Sequence, residues 1–228
     1  MIAFLIAAAA VAGLFYLFCY GGFGGPLDWL MRTEIHGDRS RNLVALTFDD
    51  GPDPIRTPAL LDALRDLHVK ATFFVVGEDV DANPEVCRRI VAEGHELGNH
   101  TYTHRYLPTA RSRSVLRELR ATDRAIEQAT GIVPTLARPP YGGRSPKTVR
   151  AFVRAAKRLV LWDVNSFDWK GKPAPELVER VMERARPGSI ILMHEAREGG
   201  EVTIDAVKQL VPQLRARGLE PVTVSRLG

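Results

Sequence analysis

The chain has 228 residues, which is enough for one substantial hydrophobic core and at most two small domains. Hydrophobic residues make up 45% of the sequence and charged residues 25%, and this ordinary balance argues against a disordered chain. The formal net charge of +4 suits an anionic surface or polymer without identifying one, and we predict no nucleic-acid partner and no protein partner.

Residues 1–27 carry no charged side chain, and residues 2–20 are almost wholly apolar. Such a run is long enough to cross a bilayer, so we predict a transmembrane anchor over residues 1–20. A cleaved signal peptide is the alternative, but no Lys or Arg precedes the apolar run. The two cysteines, Cys19 and Cys87, fit neither a disulfide framework nor a metal-binding motif.

The glycine-rich stretch after the anchor predicts a linker over residues 21–42, followed by one folded domain over residues 43–228. Short apolar runs predict seven strands: Leu43–Phe48, Ala71–Val76, Glu96–Asn99, Thr135–Arg138, Leu159–Asp163, Ser189–Met193 and Pro221–Val224. Amphipathic patterns predict helices between them: Thr57–Leu67, Pro84–Glu93, Ser112–Thr130, Ser145–Lys157, Ala174–Arg186 and Thr203–Arg217.

The alternation of strands and helices predicts an α/β fold with a parallel sheet or barrel. Seven strands instead of eight would leave the barrel incomplete. In such folds the functional side chains collect at the carboxyl ends of the strands, and the polar segments of this sequence fall at those ends.

Two histidines, His100 and His104, stand four positions apart. On a helical turn they would share a face, and a carboxylate from elsewhere would complete a two-His, one-carboxylate metal site with open positions. The alternative is a pair of surface histidines.

Asp49 and Asp50 close the first predicted strand, where adjacent extended residues point to opposite sides. One could therefore bind the cation while the other accepts a proton from water; a simple turn is the alternative.

Three further polar residues follow later strands. Arg138 begins a rigid proline- and glycine-rich loop, from which it could orient a carboxylate through a forked pair. His194 emerges directly from an apolar strand, where it could act as a general acid. A carboxylate such as Asp168 would raise its pKa by stabilising imidazolium. A solvated arginine and a core histidine are the alternatives.

These segments together, in their order over residues 43–228, resemble the polysaccharide deacetylases with the NodB homology domain, carbohydrate esterase family 4. The resemblance implies an incomplete (β/α)7 barrel and hydrolysis of N-acetyl, sometimes O-acetyl, groups on sugars. The resemblance also implies roles for the site residues. Asp49 would be the base, oriented by Arg138, and Asp50, His100 and His104 would be the ligands of Zn²⁺ or another divalent metal such as Co²⁺. Tyr141 would offer a backbone N–H to the oxyanion, Asp168 would tune the acid His194, and Trp169 and Leu192 would shape the acetyl pocket. Asn165 and Glu195 depart from the residues more usual in that family.

We expect a membrane-anchored hydrolase that removes N-acetyl groups from N-acetylglucosamine units of peptidoglycan or a chitin-like glycan. Its catalytic domain is expected outside the cytoplasm, where polymeric acetylated glycans occur. The positive-inside rule taken alone would keep the domain in the cytoplasm, because Arg32, Arg39 and Arg41 follow the apolar run. Intervening acidic residues weaken that rule here. Alternatives within enzymes are a muramic acid deacetylase, an O-acetyl esterase on xylan and a deacylase of a lipid-linked sugar.

Two alternatives come from other functional classes: a membrane-tethered glycan-binding module and an iron oxygenase. A glycan-binding module without activity would be expected to lack catalytic residues, whereas Asp49 and His194 are both present.

A series of arginines lies on and before the third predicted helix: Arg105, Arg111, Arg113, Arg117 and Arg120. Such a series is usually a solvated helix face. Contact with an anionic glycan or with a membrane surface is the functional alternative.

Overall fold

The computed structural model describes Gly13 and residues 33–196 and 199–228. The described strands are β1 (Thr33–Glu34), β2 (Leu43–Asp49), β3 (Thr72–Val75), β4 (Glu96–Asn99), β5 (Leu136–Ala137), β6 (Arg158–Val160), β7 (Val164–Asn165), β8 (Ile190–His194) and β9 (Glu220–Val222). The described helices of six residues or more are α1 (Arg56–Asp66), α2 (Gly77–Ala82), α3 (Pro84–Ala92), α4 (Ser112–Thr130), α5 (Pro146–Arg154), α6 (Ala174–Arg184) and α7 (Gly200–Ala216). Single 3-10 turns follow β5, β7 and β9.

The strands form one parallel sheet in the order β1-β6-β5-β4-β3-β2-β8-β7, with β9 also paired to β2. β6 and β7 are close in sequence but lie toward opposite ends of this order. The chain crosses between them over residues 161–163, where Leu161 donates a backbone hydrogen bond to Glu34 and Asp163 donates one to Ile190. No strand ladder joins β1 to β7 among the described residues, so the barrel stays open, as the sequence predicted.

Alternation along the strands separates two apolar layers. Val44, Leu46 and Phe48 of β2 belong to a cluster that packs against the helices. Ala45 belongs to a second cluster with Phe74, both on the interior side of the curved sheet. Because side chains alternate along a strand, Thr47 and Asp49 face the same side as Ala45.

The same alternation holds on β8. Ile190 and Leu192 belong to the interior cluster, whereas Ile191 and Met193 pack toward the helices. His194 therefore emerges on the interior side, at the carboxyl end of its strand. Ordinary burial of hydrophobic side chains thus places both the acidic residue of β2 and the histidine of β8 over the mouth of the barrel.

The structure differs from the predicted elements in three places. The strand predicted over Leu159–Asp163 extends too far: β6 ends at Val160, the chain crosses the gap of the barrel over residues 161–163, and β7 begins only at Val164. α2 was not predicted; it has only six residues and begins at Gly77 without a side-chain cap. β1 lies within the range predicted as a linker and pairs with β6.

The predicted anchor over residues 1–20 lies outside the described residues, apart from Gly13. Within the part of the chain that the structure describes, none of the helices has the length and apolar character needed to span a membrane.

Candidate active site

The polar side chains predicted at the strand ends converge at one edge of the sheet. Asp49 ends β2 and His194 ends β8, and these two residues are register partners on adjacent parallel strands. His100 directly follows β4, and Arg138 directly follows β5. Asp49, His100 and Arg138 are buried, and His194 is half-buried. The fold thus brings together groups that are up to 145 residues apart in sequence.

Asp50, His100 and His104 form a cluster suited to a metal ion. One ligand atom from each lies within 4.8 Å of the others. Asp50 Oδ1 is 3.4 Å from His100 Nε2 and 2.9 Å from His104 Nε2. Burial alone would raise the pKa of Asp50, but its hydrogen bonds to the two imidazoles outweigh burial and hold that pKa well below its usual range. The carboxylate is therefore ionised, as a metal ligand must be.

The orientation of His100 also suits a metal ligand. Its Nδ1 lies 2.8 Å from the carbonyl oxygen of Arg138, so Nδ1–H is the donor there. Nε2, the atom that faces Asp50, is then the ring nitrogen that would offer its lone pair to a metal ion. Fixing the tautomer of a ligating histidine through its other ring nitrogen is a common feature of protein metal sites.

The helical turn expected for the two histidines is wrong. Residues 100–104 form a loop in which Thr101 has φ 67° and His104 has φ 49°. Glu118 of α4 holds this loop, because its carboxylate accepts hydrogen bonds from the backbone N–H groups of Tyr102 at 3.1 Å and Thr103 at 2.9 Å. The rings of His100 and His104 meet at 5.0 Å between centroids through this loop geometry.

The extended geometry expected for the two aspartates is wrong as well. Asp50 has φ 76°, so the chain turns at the end of β2 and both carboxylates face the same site. Asp49 Oδ2 lies 3.7 Å from His100 Nε2, whereas Asp50 contacts both histidines. Asp49 Oδ1 instead accepts a hydrogen bond from Arg138 Nη1 at 2.7 Å. The two aspartates therefore have different partners, as predicted, although for a different geometric reason.

Arg138 is fully buried and contacts Asp49 through Nη1 only, not through the forked pair that was expected. Nη1 also donates to Thr47 Oγ1 at 2.8 Å, and Nη2 donates to the carbonyl of Leu161 at 2.9 Å. The guanidinium lies 4.1 Å from the centroid of the Phe74 ring. Burial lowers the pKa of Arg138, while the charge of Asp49 opposes this shift. This network fixes Asp49 in one orientation.

His194 is paired with Asp168, which is buried. Asp168 Oδ1 lies 2.9 Å from His194 Nδ1, and Asp168 Oδ2 accepts from the backbone N–H of His194 at 2.5 Å and from Thr203 Oγ1 at 2.9 Å. Burial on its own lowers the pKa of His194. The hydrogen bond and charge of Asp168, with the charges of Asp49 and Asp50, outweigh burial and raise the pKa of His194 to about 9. The imidazole is therefore positively charged near neutral pH.

Aromatic side chains border the site. Tyr141 has φ 60°, is 60% exposed, and its ring centroid lies 4.9 Å from that of His104. Trp169 is 45% exposed, and its ring meets His194 edge to face at 5.0 Å. Leu192 is buried two positions before His194, on the same side of β8. All three predicted substrate-binding residues therefore lie at or directly beneath the mouth of the barrel.

Sequence patterns missed several residues that support the site. Thr47 lies two positions before Asp49 on the same face, a spacing that could have found it, and it contacts Arg138. Thr203 on α7 and Glu118 on α4 gave no local signal, because each acts on a segment distant in sequence.

Glu195 is fully buried next to His194, and burial raises its pKa to about 8. Its Oε1 accepts a hydrogen bond from Thr57 at 3.2 Å. A Cβ added to Gly51 would lie 2.0 Å from the same oxygen. The Glu195 carboxyl group thus packs directly against the turn that carries Asp50.

The chain was compared with known proteins. The family model described as polysaccharide deacetylase matches residues 36–160. A peptidoglycan-N-acetylglucosamine deacetylase from Bacillus cereus is 36% identical over 87% of this chain and 74% of the relative. A chitooligosaccharide deacetylase from Rhizobium leguminosarum bv. phaseoli is 38% identical over 86% of this chain and 93% of the relative. A crystal structure of a peptidoglycan N-acetylglucosamine deacetylase superposes with a TM-score of 0.85 and 34% identity, covering 89% of this chain and 96% of the other.

Proposed function

Because the chain belongs to the polysaccharide deacetylase family, we propose that it removes N-acetyl groups from N-acetylglucosamine units of a glycan. Relatives named as peptidoglycan and chitooligosaccharide deacetylases make peptidoglycan or a chitin-like polymer the proposed substrate. One observation carries the proposal: the donor set of Asp50, His100 and His104 lies beside Asp49 and the charged His194 at one barrel mouth. That combination suits metal-assisted hydrolysis of an amide.

Asp50, His100 and His104 would hold the metal, for which we propose zinc, or cobalt as a substitute. Two imidazole nitrogens and one carboxylate oxygen are ligands that zinc accepts, and three protein ligands leave a position open for substrate or water. When bound, the cation supplies Lewis-acid chemistry, polarising the acetyl carbonyl and lowering the pKa of water.

Asp49 is the proposed general base. Its Oδ1 is occupied by Arg138, so Oδ2, which faces the metal cluster, is the oxygen available to take a proton from the attacking water. Arg138 holds Asp49 Oδ1 and so fixes the orientation of the carboxylate. The rigid, buried arrangement costs no reorganisation during the reaction.

His194 is the proposed general acid, which gives its proton to the departing amine. Its Nδ1 is engaged by Asp168, so Nε2 is the nitrogen that carries the transferred proton. The raised pKa means that this proton is present at neutral pH. We assign the backbone N–H of Tyr141 to the developing oxyanion, and Leu192 and Trp169 to the pocket for the acetyl methyl group.

Acetate release from a panel of chitin oligomers, peptidoglycan and acetylated xylan tests this function. We expect release from the first two by the full chain, and loss of release in Asp49→Asn. Release from acetylated xylan alone would replace the proposal with an O-acetyl esterase. If no substrate yields acetate, a glycan-binding module becomes the better description, and binding isotherms with the same panel would then test it.

We further propose that residues 1–20 anchor the enzyme in a membrane, with the catalytic domain at 43–228 outside the cytoplasm. The charge-free apolar run supports the anchor, and the polymeric substrate supports the orientation. Two reporters can be fused to the C-terminus, one that functions only outside the cytoplasm and one that functions only inside it. We expect activity from the first alone. Activity of a cytoplasm-only reporter would reverse the orientation and favour a lipid-linked or soluble oligosaccharide substrate.

A further inference from the structure

One face of α4 carries a row of arginines, Arg113, Arg117, Arg120 and Arg124, which we call the arginine stripe. At 100° per residue these four positions fall within an arc of about 60°, and the row is about 16 Å long at 1.5 Å per residue. All four side chains are exposed. The buried residues of α4 occupy the opposite face: Val115, Leu119, Thr122, Ala125 and Ile126. Packing of the helix therefore needs none of these arginines.

The guanidinium groups of the arginine stripe lie beyond ion-pair distance of the described carboxylates. Among the residues that the structure describes, no ion pair involves any of the four guanidinium groups. Of the acidic residues on α4, Glu118 holds the loop of the metal cluster and Asp123 pairs with Lys157 at 2.8 Å. Glu127 is exposed at the far end, one turn after Arg124.

The row places four like charges side by side on the helix. Like charges at i, i+3 and i, i+4 repel, and Arg113 lies in the first turn, where the helix dipole disfavours a cation. No acidic residue occupies that first turn. Removal of the four arginines would bring the formal net charge of the chain from +4 to zero.

The arginine stripe begins beside the candidate active site. α4 follows the carboxyl end of β4 and the loop of His100 and His104, so its N-terminal end lies at the site edge of the barrel. Arg105, which directly follows His104, donates from Nη1 to Ser114 Oγ in the first turn of α4 at 3.2 Å. From this edge the row runs along α4 away from the barrel mouth, so a polymer that leaves the site past this loop and follows α4 would meet successive guanidinium groups.

We propose that the arginine stripe binds carboxylate or phosphate groups on the glycan strand whose N-acetyl sugar occupies the active site. The preferred substrate is then an acidic acetylated polysaccharide. This inference rests on the proposed deacetylase function. Guanidinium groups suit such anions because they form paired hydrogen bonds with them. Lys147, Arg150 and Arg154 are exposed on α5, which packs against α4, and add cations next to the stripe.

An anionic membrane surface fits the arginine stripe less well. Helices that bind in the plane of a membrane place large apolar side chains beside their cations. None of the large hydrophobic side chains that are exposed in the described residues lies on α4. Binding to a membrane surface would not require the stripe to begin at the barrel mouth, whereas binding to a polymer substrate would.

The test compares two soluble acetylated polymers, carboxymethyl chitin, which is acidic, and glycol chitin, which is neutral. For the full chain carrying R113Q/R117Q/R120Q/R124Q, kcat/KM on carboxymethyl chitin should fall about tenfold at low salt, and that on glycol chitin should change by less than about twofold. The preference of the unmodified chain for the acidic polymer should fade as added salt shortens the Debye length.

Two control variants separate this role from general effects. The first, R65Q/R184Q/R186Q/K208Q, removes four exposed positive charges from other faces and should leave the polymer preference unchanged. The second, R113K/R117K/R120K/R124K, keeps the charge of the stripe and should retain most of the preference. Equal losses on both polymers, no loss on either, or the same loss in the first control would overturn the proposal.

Binding measurements keep the inference separate from the proposed catalysis. Titration calorimetry with the His194→Ala chain should show tighter binding of carboxymethyl chitin than of glycol chitin, and R113Q/R117Q/R120Q/R124Q should remove the difference. If no acetate is released from either polymer, the proposed function fails, yet this titration still decides the inference. Binding that depends on the stripe only with phosphatidylglycerol vesicles, and not with phosphatidylcholine vesicles or polymers, would show a membrane role and refute it.

Discussion

Replacing Asp168 with Asn should change the pH dependence of activity more than its maximum. In the structure, burial disfavours the charged form of His194, and the contact of 2.9 Å with Asp168 is the main interaction that restores it. The raised pKa of about 9 keeps the acid protonated, so activity should persist up to that pH and fall above it. Without the charge of Asp168, only the smaller contributions of Asp49 and Asp50 oppose burial. The pKa of His194 should then fall to its ordinary value of about 6.5 or below.

The size of the effect follows from these two values. At pH 8 an imidazole with a pKa of about 9 is mostly protonated, whereas one with a pKa of about 6.5 is roughly 3% protonated. Turnover of an N-acetyl substrate at pH 8 should therefore fall roughly thirtyfold in Asp168→Asn, and most of it should return at pH 6. The measurement is kcat as a function of pH, with acetate quantified from chitin oligomers.

Thr203→Val provides the matched control, because it removes one hydrogen bond to Asp168 Oδ2 and leaves the carboxylate charge in place. Its alkaline limb should stay near pH 9. If Asp168→Asn lowers turnover by the same factor at every pH, Asp168 does not set the charge of His194. The assignment of His194 as the acid would then lose its main physical support.

Other substitutions test the remaining parts of the site. Asp49→Asn should abolish most turnover yet retain about one equivalent of zinc, whereas Asp50→Ala should lose zinc in the same elemental analysis; equal retention would refute the division of labour between the aspartates. Arg138→Met leaves the carboxylate of Asp49 buried without its cation, so the free energy of unfolding with chelator present should fall by about 3–5 kcal/mol in urea titrations. Arg65→Met, at an exposed ion pair, should cost less than about 1 kcal/mol. His194→Ala should slow amide hydrolysis by about a hundredfold to ten-thousandfold but slow an activated ester much less, because the ester needs little protonation of its leaving group; equal losses would contradict a role in proton donation.

The amino-acid sequence by itself determined the order of the elements and the composition of the site. Apolar runs marked β2 and β8, and polar residues directly after them marked Asp49 and His194. Because parallel strands end at one edge, those positions were enough to predict that the groups would meet. Burial and alternation along each strand, both encoded locally, then decide which side chains face the barrel interior.

Contacts between distant segments were decided only by the tertiary structure. β1 joins the sheet through β6, a partner 126 positions away, and the strand predicted over Leu159–Asp163 ends at Val160, where the chain leaves to cross the barrel gap. Local periodicity carries no information about such pairing.

The conformation of the site loops depended on the tertiary structure in the same way. His100 and His104 meet through a loop with positive φ angles that Glu118 holds from α4, where the sequence suggested a helical turn. Arg138 meets one oxygen of Asp49 because its other donors bind Thr47 and a backbone carbonyl at the gap. Residue types therefore specify which chemistry is available, whereas orientation and protonation arise from buried contacts that form only when the whole barrel packs.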